Sequence, residues 1–205
     1  MDWVRWHEDY DDPDSRLAKR LRVVQQQIRG ALSRAPAGPV TVISMCAGQG
    51  RDLLEVLAEH PRAGEVRARL VEWDPANVAT ARAAGIAGVE VVEGDAALVD
   101  AYSGFVPAEL VLACGVFGNV SDADVRRTVG ICGQLCREGG TVVWTRHRRE
   151  PDLVPAICDW FESDGFERVA LTSPELDFGV GAHRRVRAPE PVVAGARMFT
   201  FTRRA

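Results

Sequence analysis

From residue 39 onward the chain alternates short apolar runs with segments of helical period, and few folds accept that alternation. Strand followed by helix, repeated, makes βαβ units whose parallel sheet must be covered on both faces. The runs Val40 to Met45, Val66 to Trp73, Val89 to Glu93, Leu110 to Cys114 and Thr141 to Thr145 read as five strands. Most are rich in Val, Ile or Leu, as buried parallel strands are. Asp74-Pro75 reads as an N-cap with proline at the first helical position, and Gly85 marks the end of that helix. Ser121-Asp122-Ala123-Asp124 has a capping-box pattern ahead of Val125, Val129, Cys132, Leu135 and Cys136, which fall on one helical face.

The two ends differ from this middle. Leu17, Leu21, Val24, Ile28 and Leu32 recur at helical spacing after Asp14-Ser15, which predicts an amphipathic N-terminal helix laid on the body. Ala35-Pro36-Ala37-Gly38-Pro39 breaks it. At the other end, Phe166 to Leu171 and Arg197 to Thr202 read as strands with no helix between them, so the sheet is expected to finish in an antiparallel hairpin. Phe178 to Arg187 is an extra strand or a loop. The division expected is an arm and helix over 1–38 and one sheet domain over 39–205.

Composition bounds the function classes. With 46% hydrophobic and 26% charged residues, the 205-residue chain is an ordinary globular sequence, not a disordered or fibrous one. No apolar run spans a bilayer and residues 1–20 hold no signal-like core, which predicts a cytoplasmic protein without a membrane partner. A formal charge of −4 disfavours nucleic acid as a partner. That charge is uneven: residues 1–14 carry six acids against Arg5, and residues 183–205 carry six arginines against Glu190. Five cysteines read as reduced, buried residues. Cys132 and Cys136, four apart, have no second Cys or His pair to complete a metal site.

The first strand runs into Cys46-Ala47-Gly48-Gln49-Gly50-Arg51-Asp52, a turn in which glycine lets the backbone bend sharply and lets a ligand approach it. A dinucleotide site expects a third glycine where Leu53 stands, and a phosphate-binding loop expects a lysine that is missing. The stretch resembles instead the first motif of class I S-adenosylmethionine-dependent methyltransferases, an acid followed by alternating glycines. Ser44 falls at the acid, Cys46 at the first glycine, and Gly48 and Gly50 at the next two, so two of the four positions depart from the motif. Val71-Glu72-Trp73-Asp74-Pro75, beginning 21 residues after Gly50, resembles the second motif, with Glu72 as ligand of the ribose hydroxyls. Glu93-Gly94-Asp95-Ala96 resembles the third, with Asp95 accepting from the adenine amino group, and Cys114-Gly115-Val116-Phe117-Gly118-Asn119 forms the next loop at the same edge. The resemblance covers 39–205. The whole chain is also similar to a small group of uncharacterised methyltransferases that share the Trp6-His7-x-x-Tyr10-Asp11-Asp12 opening and the Cys46 to Asp52 turn.

The resemblance implies a Rossmann-like, seven-stranded, mostly parallel α/β sheet with an antiparallel last strand. It also implies S-adenosylmethionine held by Ser44, Cys46, Ala47, Gly48, Gly50, Arg51, Asp52, Glu72, Trp73, Asp95, Ala96, Cys114 and Gly115. Transfer from a sulfonium needs mainly proximity and orientation, with a base only where the acceptor must lose a proton. Candidates for contact with the acceptor are His7 and Tyr10 in the acidic, aromatic arm, Asn119, His147 within Arg146-His147-Arg148-Arg149, and His183. His60, before Pro61 at a helix end, reads as a surface residue. One catalytic domain with an acidic balance points to a small-molecule acceptor and to a monomer or homodimer. A methyltransferase acting on RNA or protein, and a non-catalytic cofactor-binding regulator, remain the alternatives.

Overall fold

The computed structural model describes residues 10–202. Helix α1 (Arg16–Arg34) starts at Ser15, whose Oγ accepts from the Ala18 amide at 3.0 Å. The alternation follows as β1 (Val40–Met45), α2 (Arg51–Glu59), β2 (Val66–Glu72), α3 (Pro75–Ala83), β3 (Val89–Glu93), β4 (Ala108–Ala113), α4 (Asp122–Leu135), β5 (Cys136–His147), α5 (Val154–Ser163), β6 (Phe166–Leu171) and β7 (Phe178–Arg185). Asp74 caps α3 as expected, accepting from the Ala76 and Asn77 amides. Ser121 caps α4.

One sheet of seven strands runs in the order β3-β2-β1-β4-β5-β7-β6. β1 to β5 are parallel, while β7 is antiparallel to both of its neighbours. The order in which strands are laid down reverses between β1 and β4, and in open sheets the crevice at the carboxyl edge of such a switch point receives the ligand. One face buries Val24, Ile28 and Leu32 of α1 and Leu53 and Leu57 of α2 against the sheet. The other buries Val125 and Val129 of α4, Ile157 and Phe161 of α5, and Met198 and Phe199.

Two expectations are corrected. The antiparallel partner of β6 is Phe178–Arg185, and 197–202 forms no strand. β7 carries glycine where the sheet is most crowded: a Cβ on Gly181 would come within 2.4 Å of the Trp144 ring, and one on Gly179 within 2.6 Å of Val154. Residues 190–202 instead form a strap alongside α4. It runs from the Glu190 amide on the Gly133 carbonyl to the Thr202 amide on the Asn119 carbonyl, with isolated bridges at Leu98–Arg197 and Val120–Phe201. Cys136 does not share a helical face with Cys132, because α4 ends at Leu135 and Cys136 opens β5; both are buried. Among the described residues no helix is long and apolar enough to cross a membrane.

Gly181→Ala drives a methyl group into the Trp144 indole, and overpacking of this kind costs about 1–3 kcal/mol. A urea titration is expected to show the corresponding fall in midpoint, and an unchanged midpoint would place Trp144 elsewhere.

Candidate functional site

The glycine turn is built by left-handed backbone. Cys46, Gly48 and Gly50 have φ of 50°, 55° and 73°. Gly50 also has no room for a side chain, since a Cβ would lie 2.7 Å from Leu54 Cδ1 and 2.9 Å from Leu70 Cδ2. Cys46 is the one non-glycine residue with positive φ among those described, a conformation that costs an L-residue about 1–2 kcal/mol.

Glu72 closes the turn from the neighbouring strand. Its side chain reaches from the end of β2 so that Oε2 accepts from the Gly48 amide at 2.8 Å, while Oε1 accepts from the Asp74 amide at 2.9 Å. The residue is only 8% exposed. Asp95 follows β3, with Oδ1 accepting from the Ala97 amide at 2.9 Å and Oδ2 paired with Arg197 at 2.7 Å. Glu72 and Asp95 both face Cys46: burial pushes its thiol pKa up, and the two carboxylates push it further. Trp73 lies beside Glu72 with its ring largely in solvent, 74% exposed. Ser44 is buried in β1 between Leu70 and Leu112. Ala96 is buried under the strap side of the sheet.

A second group gathers on the α1 side of the same edge. Tyr10 accepts from Arg20 of α1 at 3.4 Å, and the Arg51 guanidinium stands 5.6 Å from its ring centroid. Arg51 pairs with Asp11 at 2.9 Å and bonds to Gln49 at 3.2 Å, so the arm is fastened to the glycine turn. Gln25 of α1 adds a bond to the Arg51 carbonyl. Asp52 is buried beneath this cluster, accepting from the Leu53 amide at 2.8 Å. Burial raises its pKa to about 6, against the opposing pull of Arg20. Burial, reinforced by Asp52, also raises the Cys114 thiol.

The loop after β4 is fixed from β5. The Gly115 amide donates to Thr145 Oγ1 at 2.8 Å, and Asn119 Nδ2 donates back to the Gly115 carbonyl at 2.7 Å. The Asn119 carbonyl meanwhile receives Thr202. His147 ends β5 beside Gly118, where an added Cβ would lie 3.4 Å from its ring.

Of the residues named from sequence, Glu72, Asp95, Cys46, Gly48 and Gly50 converge on one turn, and Tyr10, Arg51, Asp52 and Cys114 form its flank. His147 and Asn119 stand along the same edge. His183 is a correction: it pairs with Val142 below the edge, is fully buried, and stacks 4.7 Å from Phe161 while Nδ1 accepts from Trp144 Nε1 at 3.0 Å. Burial lowers its pKa to about 4, and no acceptor can reach it. His60 bonds to Ser33 and to the Arg62 amide, away from the edge. His7 lies outside the described residues. Sequence reasoning missed Arg20, Thr145 and Arg197. Thr145 had a signal, a hydroxyl at the carboxyl end of a strand, but Arg197 meets Asp95 across 102 residues with no local pattern.

The raised Asp52 pKa carries a sign. An acid whose folded pKa exceeds its unfolded value of 3.8 adds nothing unfavourable below about pH 4, and stability is lost as pH rises from there through about 6. Asp52→Asn removes that dependence. Its stability relative to the parent is therefore expected to rise by about 2–3 kcal/mol between pH 4 and pH 8, read from urea midpoints across pH. A pH-independent difference would mean that Asp52 is not sheltered.

Comparisons with known proteins bear on the family and the fold. A family described as "Putative methyltransferase" matches residues 16–159. No curated protein matches the chain. Among solved structures, a magnesium protoporphyrin IX methyltransferase from Synechocystis PCC 6803, with bound SAM, is similar at TM-score 0.67 and 11% identity, covering 90% of this chain and 91% of that one. A 1,6-didemethyltoxoflavin-N1-methyltransferase from Burkholderia thailandensis, with its substrate and S-adenosylhomocysteine, is similar at 0.64 and 17%, covering 91% and 86%. An O-methyltransferase family protein from the same organism reaches 0.65 at 19%, covering 82% of this chain, which spans 56% of that longer one. At these identities the likeness is one of fold.

Proposed function

The chain belongs to the methyltransferase family that its residues 16–159 match, and on that premise we propose that it methylates a small molecule with S-adenosylmethionine as donor. The observation that carries the reading is the carboxylate of Glu72 held against the Gly48 amide at the turn after β1, with Asp95 and the Trp73 ring alongside.

The residues fit the donor. Each carboxylate oxygen has two acceptor sites, so Glu72 can hold its two amides and still accept from both ribose hydroxyls. Trp73 offers a solvent-facing ring for a flat base, and Asp95 an acceptor for an exocyclic amino group, with Arg197 to fix its orientation. The bare backbone at Gly48 allows close approach to the main chain, while that of Gly50 makes room for Leu54 and Leu70 beneath the turn. When bound, S-adenosylmethionine supplies a methyl group already activated by its sulfonium.

What remains for the protein is to seat the acceptor in line and keep water out. Tyr10 and Asp11 engage Arg51 at the turn, and residues 1–38 are read as the segment that caps and shapes the acceptor site. Asn119 and Gly115 brace the loop that borders it. If the acceptor must lose a proton, the groups at this edge that can take it are Asp52, whose pKa burial raises to about 6, and the imidazole of His147, which burial and the nearby arginines keep uncharged.

Calorimetric titration with S-adenosylmethionine tests the reading: binding is expected, and none would overturn it. Glu72→Ala is expected to weaken that binding by about 1.5–3 kcal/mol, the range for hydrogen bonds to a charged group. Parental affinity in this variant, with its fold verified by circular dichroism, would remove Glu72 from the ribose. Binding without transfer to any tested acceptor would favour a regulatory protein over an enzyme.

A further inference from the structure

The glycine turn ends at a guanidinium held from several sides. Arg51, the first residue of α2, donates from Nε to Gln49 Oε1 at 3.2 Å and from Nη1 to Asp11 Oδ1 at 2.9 Å. The Tyr10 ring centroid stands 5.6 Å from its Cζ, and Gln25 of α1 donates to the Arg51 carbonyl at 3.1 Å and to Glu55 at 2.7 Å. Turn, arm and α1 thus fix one side chain that is still 30% exposed. Its partner Asp11 is 71% exposed, and an exposed ion pair adds little to stability, so stabilising the fold does not account for the arrangement. Part of the pair is also unengaged. Arg51 keeps both N–H groups of Nη2, and Asp11 keeps Oδ2, with no partner among the described residues. Donors and an acceptor of opposite charge therefore lie side by side at the rim of the turn.

S-adenosylmethionine ends in an ammonium and a carboxylate on one carbon, a zwitterion that asks for an anion and a cation together. With the base assigned to Trp73 and Asp95, and the ribose to Glu72 beside the Gly48 amide, that end is left to be met elsewhere along the turn. Most of the turn offers it no charge. Ser44 is buried in β1 and neutral, and the Cys46 thiol is kept uncharged by burial, Glu72 and Asp95. The Asp52 carboxylate is buried, with Oδ1 on the Leu53 amide. Arg51 with Asp11 is the cation and anion pair that borders the turn and remains exposed.

We infer that Arg51 and Asp11 form the subsite for the amino-acid end of the donor, the guanidinium taking its carboxylate and the Asp11 carboxylate its ammonium. Asp11 then belongs to the donor site, which is incomplete without the arm. This rests on the reading of the ligand as S-adenosylmethionine. The two side chains answer each other's charge, and a zwitterion set head to tail against them answers both, so no charge is left unpaired in either state.

The test is calorimetric, on the full chain, with three ligands: S-adenosylhomocysteine, its decarboxylated analogue, and methylthioadenosine, which keeps the adenosine and thioether and lacks the amino acid. The parent is expected to bind S-adenosylhomocysteine about tenfold or more tightly than methylthioadenosine. Arg51→Gln and Asp11→Asn are each expected to weaken S-adenosylhomocysteine about tenfold and to leave methylthioadenosine unchanged. The decarboxylated analogue retains the ammonium and so separates the two roles: Asp11→Asn is expected to weaken it and Arg51→Gln is not. Should Arg51→Gln fail to fold, Asp11→Asn, at an exposed position, decides alone. Equal losses for all three ligands would make the pair a structural fastening of the arm and overturn the subsite, as would undiminished affinity for S-adenosylhomocysteine in either variant. A parent that binds methylthioadenosine as tightly as S-adenosylhomocysteine removes only the subsite, and one that binds none of the three removes the donor reading itself.

Discussion

The hydrogen bond from the Gly48 amide to Glu72 Oε2 is the constraint on which the site depends. β1 and β2 are paired through their backbones up to Met45 and Val71, but beyond those residues the ladder ends and the chain must leave the sheet. The Ala47 amide still reaches the Val71 carbonyl, and Glu72 then takes the next free donor with its side chain. This lets the turn pass through left-handed backbone at Cys46, Gly48 and Gly50 without leaving buried amides unanswered. It also leaves a carboxylate at the mouth of the crevice, held in one orientation by two amides. Closing the turn and presenting an acceptor to a ligand are thus one interaction.

Around that turn two distant segments are recruited, and they approach from opposite faces. The N-terminal arm comes over the α1 side, where Asp11 and Tyr10 engage Arg51. The C-terminal strap comes along α4 on the other side and brings Arg197 to Asp95 and Thr202 to Asn119. Asp11 and Arg197 therefore reach one edge from the two ends of the described residues, each meeting a residue of opposite charge. Of the other C-terminal arginines described, Arg185 is buried among the carbonyls of Asp164, Arg187 and Ala188, and Arg184 pairs with Glu167, so their role is in the fold.

What the sequence made legible was whatever is written locally. Apolar runs located β1 to β5, and the caps at Ser15, Asp74 and Ser121 follow from side chains that bond within three residues of themselves. The order of Gly48, Glu72 and Asp95 was readable because each ends or follows a strand whose neighbours are parallel. The last third was not. Met198 and Phe199 are buried as strand residues would be, yet they pack on α4 and not in the sheet, and periodicity alone does not distinguish the two. Gly179 and Gly181 fell in a stretch readable as an extra strand or a loop, and their bareness is what lets β7 lie against Trp144 and Val154. His183 was misplaced for the same reason, since a register that buries it could be seen only with Trp144 and Phe161 in position.

The strand order gives the edge a polarity that no single motif reveals. On the β2–β3 side of the reversal, Glu72 and Asp95 act on Cys46 and favour its uncharged thiol. On the β5 side, Arg146, Arg149 and Arg16 act on His147 and favour its uncharged imidazole. These two groups, acted on by charges of opposite sign, lie on either side of the point between β1 and β4 where the strand order reverses. A cationic sulfonium is electrostatically at home beside the carboxylates of the first group. Ser44 fits this division: the expected carboxylate is missing from β1, yet the acidic half retains Glu72 and Asp95, which suffice to give it its sign.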